Sequence, residues 1–209
     1  MKRMLPMMMF VLVVFTALFL VAGLDKIGAS AQQTADSPKP EPRVKLNFTP
    51  ESEKFNAATE EYRGIWQTEG TRMLDAMEQV TGLKYAEKEV NVIVFEGVSS
   101  SGYQNIPMRM RASYTTEIKK ATLIHELGHR LNSQIRGAPK DIDEHRLLFL
   151  WLYDVWIKLY GREFADNAVK VESARKGIYD YETAWKWALA MTAEERAAKL
   201  KEILRQTQK

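Results

Sequence analysis

Four patterns of apolar and polar positions succeed one another along this chain. The first is an unbroken apolar run, Met4–Leu24, preceded by Lys2 and Arg3 and followed by the small residues Ala29-Ser30-Ala31. A basic start, an apolar stretch and an Ala-x-Ala site before Gln32 describe a targeting segment. Its 21 residues also suffice to span a bilayer. Residues 1–31 therefore read as a signal peptide or an N-terminal membrane anchor, the anchor keeping its basic end in the cytoplasm. Either way the rest of the chain is expected outside the cytoplasm, secreted or periplasmic. The second pattern is polar and rich in Pro38, Pro40 and Pro42. Unable to bury a core, residues 32–47 read as a linker. That leaves 48–209 for one domain.

Within this domain the period switches between two and about 3.6. Thr49-Pro50-Glu51 has the chemistry of a helix start, and that helix is expected to reach Val80, with Gly82 as its stop. Glu89–Glu96 is short and β-branched, bounded by Gly97, and reads as a strand. Gly97–Pro107 reads as a loop, and Met108–Tyr114, which alternates Met with Arg, as an edge strand. A helix then begins near Thr115 or Thr116, with Ile118, Ala121, Leu123, Ile124, Leu127 and Leu131 on its apolar face. Gly137 and Pro139 interrupt the chain before a third helix, Asp141–Tyr160, which is apolar nearly all round and must be buried. Gly161 ends it. Two or three further helices follow, the last opened by the capping box Thr192-Ala193-Glu194-Glu195. The predicted fold class is α+β, mostly α-helical, with a small sheet and a helical C-terminal part.

Charge and cysteine content narrow the functional classes. The formal charge of +3 falls to +1 once Lys2, Arg3, Asp25 and Lys26 are set aside, and no basic stripe with interleaved aromatics appears, so no nucleic-acid partner is expected. With no cysteine, neither a disulfide framework nor a lipid-modified cysteine is available. Membrane attachment would have to come from the N-terminal segment.

The candidate chemistry lies in the histidines. The chain has three, His125, His129 and His145, all within 21 residues. The first two frame His125-Glu126-Leu127-Gly128-His129, an H-E-x-x-H string in the middle of the second predicted helix. Residues four apart share a helix face, so two neutral imidazoles can reach one Zn2+ at about 2.0–2.1 Å. Glu126, beside the first ligand, is placed to deprotonate a metal-bound water and pass the proton to a leaving amine. Gly128 costs roughly 1 kcal/mol in a helix interior against Ala, which implies close approach of another segment. For the third ligand the start of the third helix offers Asp141, Asp143, Glu144 and His145. His145 is favoured, since histidine is the commonest metal ligand, with Glu144 as the alternative.

The H-E-x-x-H helix resembles the active-site helix of the zincin metallopeptidases, and with the preceding strand and the following helix the likeness covers about a third of the chain. It implies zinc bound by His125 and His129, Glu126 as catalytic base, and a peptide or protein substrate. Metzincins continue H-E-x-x-H-x-x-G-x-x-H. Here Asn132 and Ile135 stand at the last two of those positions, which excludes that subclass. In gluzincins a glutamate from a downstream helix completes the site, which would favour Glu144. The run Leu152–Trp156 is similar to a stretch following H-E-x-x-H in some bacterial zincin-like proteins. Asp154 is a candidate acceptor for a ligand imidazole N–H, against a plain salt bridge. Tyr114, Tyr153 and Tyr160 are candidate oxyanion donors, and Arg109 and Arg111 candidate flanks of a cleft. Tyr179, Tyr181, Trp185 and Trp187 read as core or as an interfacial surface. The alternative to an enzyme is a non-catalytic, metal-stabilised helical binding module of the cell envelope.

Overall fold

The computed structural model describes residues 41–177 and 179–207. The leader and most of the predicted linker lie outside the described residues. Among those described, no helix is long and apolar enough to cross a membrane. The fold is α+β and mostly helical. Its strands are β1 (Lys45–Pro50), β2 (Glu89–Phe95) and β3 (Met108–Arg111), and a single 3-10 turn at Glu53–Phe55 precedes the first helix. The helices are α1 (Asn56–Thr81), α2 (Thr116–Asn132), α3 (Glu144–Phe149), α4 (Leu152–Tyr160), α5 (Arg162–Ser173), α6 (Tyr181–Leu189) and α7 (Ala193–Thr207).

The three strands are parallel, in the order β1-β2-β3. Period-two alternation sends one set of side chains into the core. Phe48 pairs with Val92, and Val92 and Val94 pair with Met108 and Met110, all of them buried. The opposite face carries Asn47, Asn91 and Arg109. β3 is an edge strand as expected, stopping at Arg111 where Tyr114 had been predicted. The start of the domain differs more. Thr49 and Pro50 finish a strand instead of opening a helix, and Lys45–Asn47, assigned to the linker, belong to that strand with Val44 buried beside it. A Pro at the end of an edge strand forfeits no inner ladder bond, so the same Thr-Pro pair suits either role, and pairing with β2 decides it.

α2 is enclosed on nearly every side. Thr115 caps it through its side-chain oxygen, and all six predicted apolar positions are buried. It packs against α1, β3, α3, α4 and α5. Lys119, also buried, pairs with Glu61 of α1. Arg130 binds Glu87 and the Ser101 carbonyl, tying α2 to the segments before and after β2.

The single helix expected over 141–160 is two helices, α3 and α4, separated at Leu150 and Trp151. Neither Pro nor Gly marks the break, because tertiary packing makes it. Trp151 turns its indole onto α2, where its N–H donates to Asn132 Oδ1 at 3.1 Å. The room it needs is provided by Gly128: a Cβ there would meet Leu148 Cδ1 at 2.5 Å and Trp151 at 2.8 Å. The close approach implied by that glycine is therefore present. Gly128→Ala should gain about 1 kcal/mol of helix propensity yet lose about 1–3 kcal/mol to overpacking. A lower denaturant midpoint is expected, and a raised one would show that the contact yields.

Three helices close the chain, within the predicted number. The capping box at the start of α7 forms, with the Thr192 N–H donating to Glu195 and the Glu195 N–H to Thr192 Oγ1.

Candidate functional site

α2 brings His125, Glu126 and His129 to one wall of a cleft, and α3 supplies His145 opposite. The Nε2 atoms of His125 and His129 are 3.1 Å apart. One ligand nitrogen from each of the three histidines falls within 4.8 Å of the others. Two nitrogens each about 2.0–2.1 Å from a tetrahedral metal lie roughly 3.3 Å apart, so the cluster has the spacing of a metal cradle. His145 is the histidine that closes it. Glu144, its neighbour, lines the cleft but falls outside the cluster. Asp143 caps α3 instead, accepting from the backbone N–H of His145 and Arg146 and from the Tyr179 hydroxyl at 2.8 Å.

The environment acts differently on the three imidazoles. Burial, together with the neighbouring histidines, pushes His129 down to about 2 and His145 to about 4. Both are therefore neutral at physiological pH, with lone pairs available. Burial also disfavours charge on His125, but Glu172 outweighs it and raises that pKa. Glu172 comes from α5 and is itself buried. Its Oε1 lies 2.8 Å from His125 Nδ1, off the ideal hydrogen-bond axis, while its Oε2 accepts from the Trp185 indole at 3.0 Å. The carboxylate beside Nδ1 favours a proton there, and Nε2 faces His129. Glu126 is 4% exposed, and burial lifts its carboxyl to about 7. His145 is fixed by aromatic rings, stacked on Tyr179 with centroids 4.1 Å apart and edge-on to Tyr181 at 4.8 Å.

Compared with protein-family models, curated proteins and solved structures, the chain matches none. Its site stands on its own geometry.

The cleft holds about 610 Å3 and is walled by Ser99–Ser101 of the β2–β3 loop, Arg111, Tyr114, Arg175, Tyr179 and Tyr181. A second cavity of about 370 Å3 adjoins it past His129 and Glu144, lined by Asn132, Ile135, Ile142 and Leu147 among others. Of the secondary candidates, Tyr114 and Arg111 reach the cleft. Arg109 pairs with Glu51, Tyr160 with Glu69, and Tyr153 with Asp166. Asp154 is not an imidazole acceptor: Arg196 of α7 binds it at 2.6 and 3.0 Å, the salt-bridge alternative.

The carboxylate that does face one of the clustered imidazoles, Glu172, was missed. A signal existed, because Glu172 continues the buried face of Ala165 and Ala168 at helical spacing, and an acid in line with a core face needs a buried partner. Trp185 is core as expected, but Tyr179 and Tyr181, read as core or interface, wall the cleft. Loss of a partner such as Glu172 weakens a metal site by about 10–100-fold. Glu172→Gln, which keeps the shape and removes the charge, should weaken metal affinity by at least the lower figure in a chelator-competition titration. An unchanged affinity would show that the contact only packs.

Proposed function

We propose that this protein is a zinc-dependent peptide hydrolase acting outside the cytoplasm. The observation that carries the reading is the convergence of three histidine nitrogens and a buried glutamate on the wall of one open cleft. Three neutral nitrogen donors suit Zn2+ above harder cations. Three protein ligands beside a cleft are also the pattern of a catalytic site, where a structural site would be closed by a fourth. When bound, the cation supplies Lewis acidity to a carbonyl and to water.

The remaining steps belong to the chain. His125, His129 and His145 hold the cation, and Glu172 fixes the orientation of His125. Glu126 takes the proton of the attacking water and returns it to the leaving amine. Burial raises its carboxyl pKa, and so its basicity, above that of an exposed glutamate. The leader, as signal or anchor, supports the extracytoplasmic address.

The test is zinc content and peptidase activity measured together on the purified protein. Stoichiometric zinc with hydrolysis that a chelator abolishes and zinc restores is expected. A zinc-loaded protein that cleaves nothing, or hydrolysis without metal, would overturn the proposal, the first outcome favouring the binding-module reading. The N-terminal sequence of the protein recovered from cells decides between cleavage before Gln32 and retention of the leader.

A further inference from the structure

We propose that the cleft selects peptides bearing a carboxylate near the bond to be cleaved, and that Arg175 recognises it. The inference rests on the hydrolytic reading of the same site. The cleft lining includes three cations: Arg111 at the end of β3, and Arg175 and Lys176 in the turn between α5 and α6. The acids that line the cleft are Glu126 and Glu144.

Arg111 is anchored through Nε, which donates to the Gly97 carbonyl at 2.7 Å and lies 3.2 Å from Glu96. Arg175 is far less committed. Its Nη2 donates to Thr122 Oγ1 at 3.4 Å, its Nη1 stands 3.9 Å from Glu172, and the Tyr181 hydroxyl neighbours it. Glu172 is already engaged by His125 and Trp185. Among the described residues these contacts engage three of the five guanidinium donors at most, on a side chain 22% exposed at the cleft.

Placement favours recognition of an anion. The Arg175 guanidinium lies 5.7 Å from the rings of both Tyr114 and Tyr181, and Arg111 lies 5.3 Å from the same Tyr114 ring. Two guanidinium groups therefore flank one ring at the cleft. Held between two rings, Arg175 keeps its planar fork oriented, and that fork matches a carboxylate bidentately. Tyr181, which touches Arg175 on one side, is 4.8 Å from His145 on the other. With about 3.3–3.6 Å per extended residue, a carboxylate on Arg175 lies within roughly three residues of the reacting bond. Both a peptide's C-terminal carboxylate and an Asp or Glu side chain present this chemistry.

Binding is measured on zinc-loaded Glu126→Gln protein, so that the result does not depend on turnover. The probe is an N-capped random tetrapeptide library, made once with free C-terminal acids and once with amides, and bound peptides are identified by mass spectrometry. Peptides carrying carboxylates should be enriched. Arg175→Gln in the same background should cut that enrichment tenfold or more with zinc content unchanged, and Arg175→Lys should restore part of it. Enrichment confined to the free-acid library assigns the C-terminus, and enrichment of Asp or Glu in the amide library assigns a side chain. No carboxylate enrichment, or one that Arg175→Gln leaves intact, overturns the proposal. Carboxylate binding that depends on Arg175, without hydrolysis by the wild-type protein, would overturn the hydrolase reading and leave only the recognition of a carboxylate by Arg175.

Discussion

Glu126→Gln is expected to retain stoichiometric zinc and to lose hydrolysis by about 10²–10⁴-fold, the range a positioned general acid–base group contributes. Glutamine matches glutamate in shape, so the buried pocket around residue 126 should be filled as before, and the three histidines do not depend on it for their orientation. What disappears is the proton acceptor. The loss should fall on kcat more than on KM, because the carboxylate acts on the moving proton and not on the resting substrate. Zinc content, measured on the sample used for kinetics, separates this outcome from collapse of the site. A zinc-loaded variant as active as wild type would remove Glu126 from the chemistry.

The parts of the site legible in the sequence are those carried by one helix. His125, Glu126 and His129 are fixed relative to one another by 3.6-residue geometry, and the enclosing apolar positions of α2 repeat at the same spacing. Gly128 was legible for a related reason, since an uncompensated propensity cost inside a helix implies a neighbour. What was not legible depends on contacts between elements far apart in the chain. The break between α3 and α4 follows from Trp151 docking on Asn132, and the conversion of Thr49-Pro50 from helix cap to strand end follows from pairing with β2. Arg175, Tyr179 and Tyr181 reach the cleft because the segment that joins α5 to α6 borders it, and nothing in their local sequence specifies where that segment lands.

The break also explains how the site is assembled. A continuous helix from 141 to 160 would have tied the direction of His145 to that of the buried α4 segment. Two short helices separate the tasks: α4 packs against α1 and α5, while α3 packs on α2 and α6 and presents His145 to α2. The bulky residue at the junction, Trp151, is the one that requires glycine at position 128. The residue between Leu127 and His129 in the motif is thus set by the element that carries the third histidine.

Removal of that histidine should have a larger effect on the metal than any outer contact. His145→Ala takes away one of three ligand nitrogens, so zinc affinity should fall by more than the roughly 10–100-fold expected for loss of a hydrogen-bonded partner. Substoichiometric zinc after dialysis against a weak chelator is the expected reading. Glu144→Ala removes an exposed carboxylate outside the cluster, and its zinc content should match wild type. The comparison is informative because both substitutions fall in the first turn of α3, after the Asp143 cap, so any general weakening of the helix would affect both alike. Loss of zinc in Glu144→Ala with retention in His145→Ala would transfer the third ligand to the carboxylate and require α3 to turn by about 100°. Stacking of His145 on Tyr179, with Tyr179 tethered to Asp143, opposes such a turn.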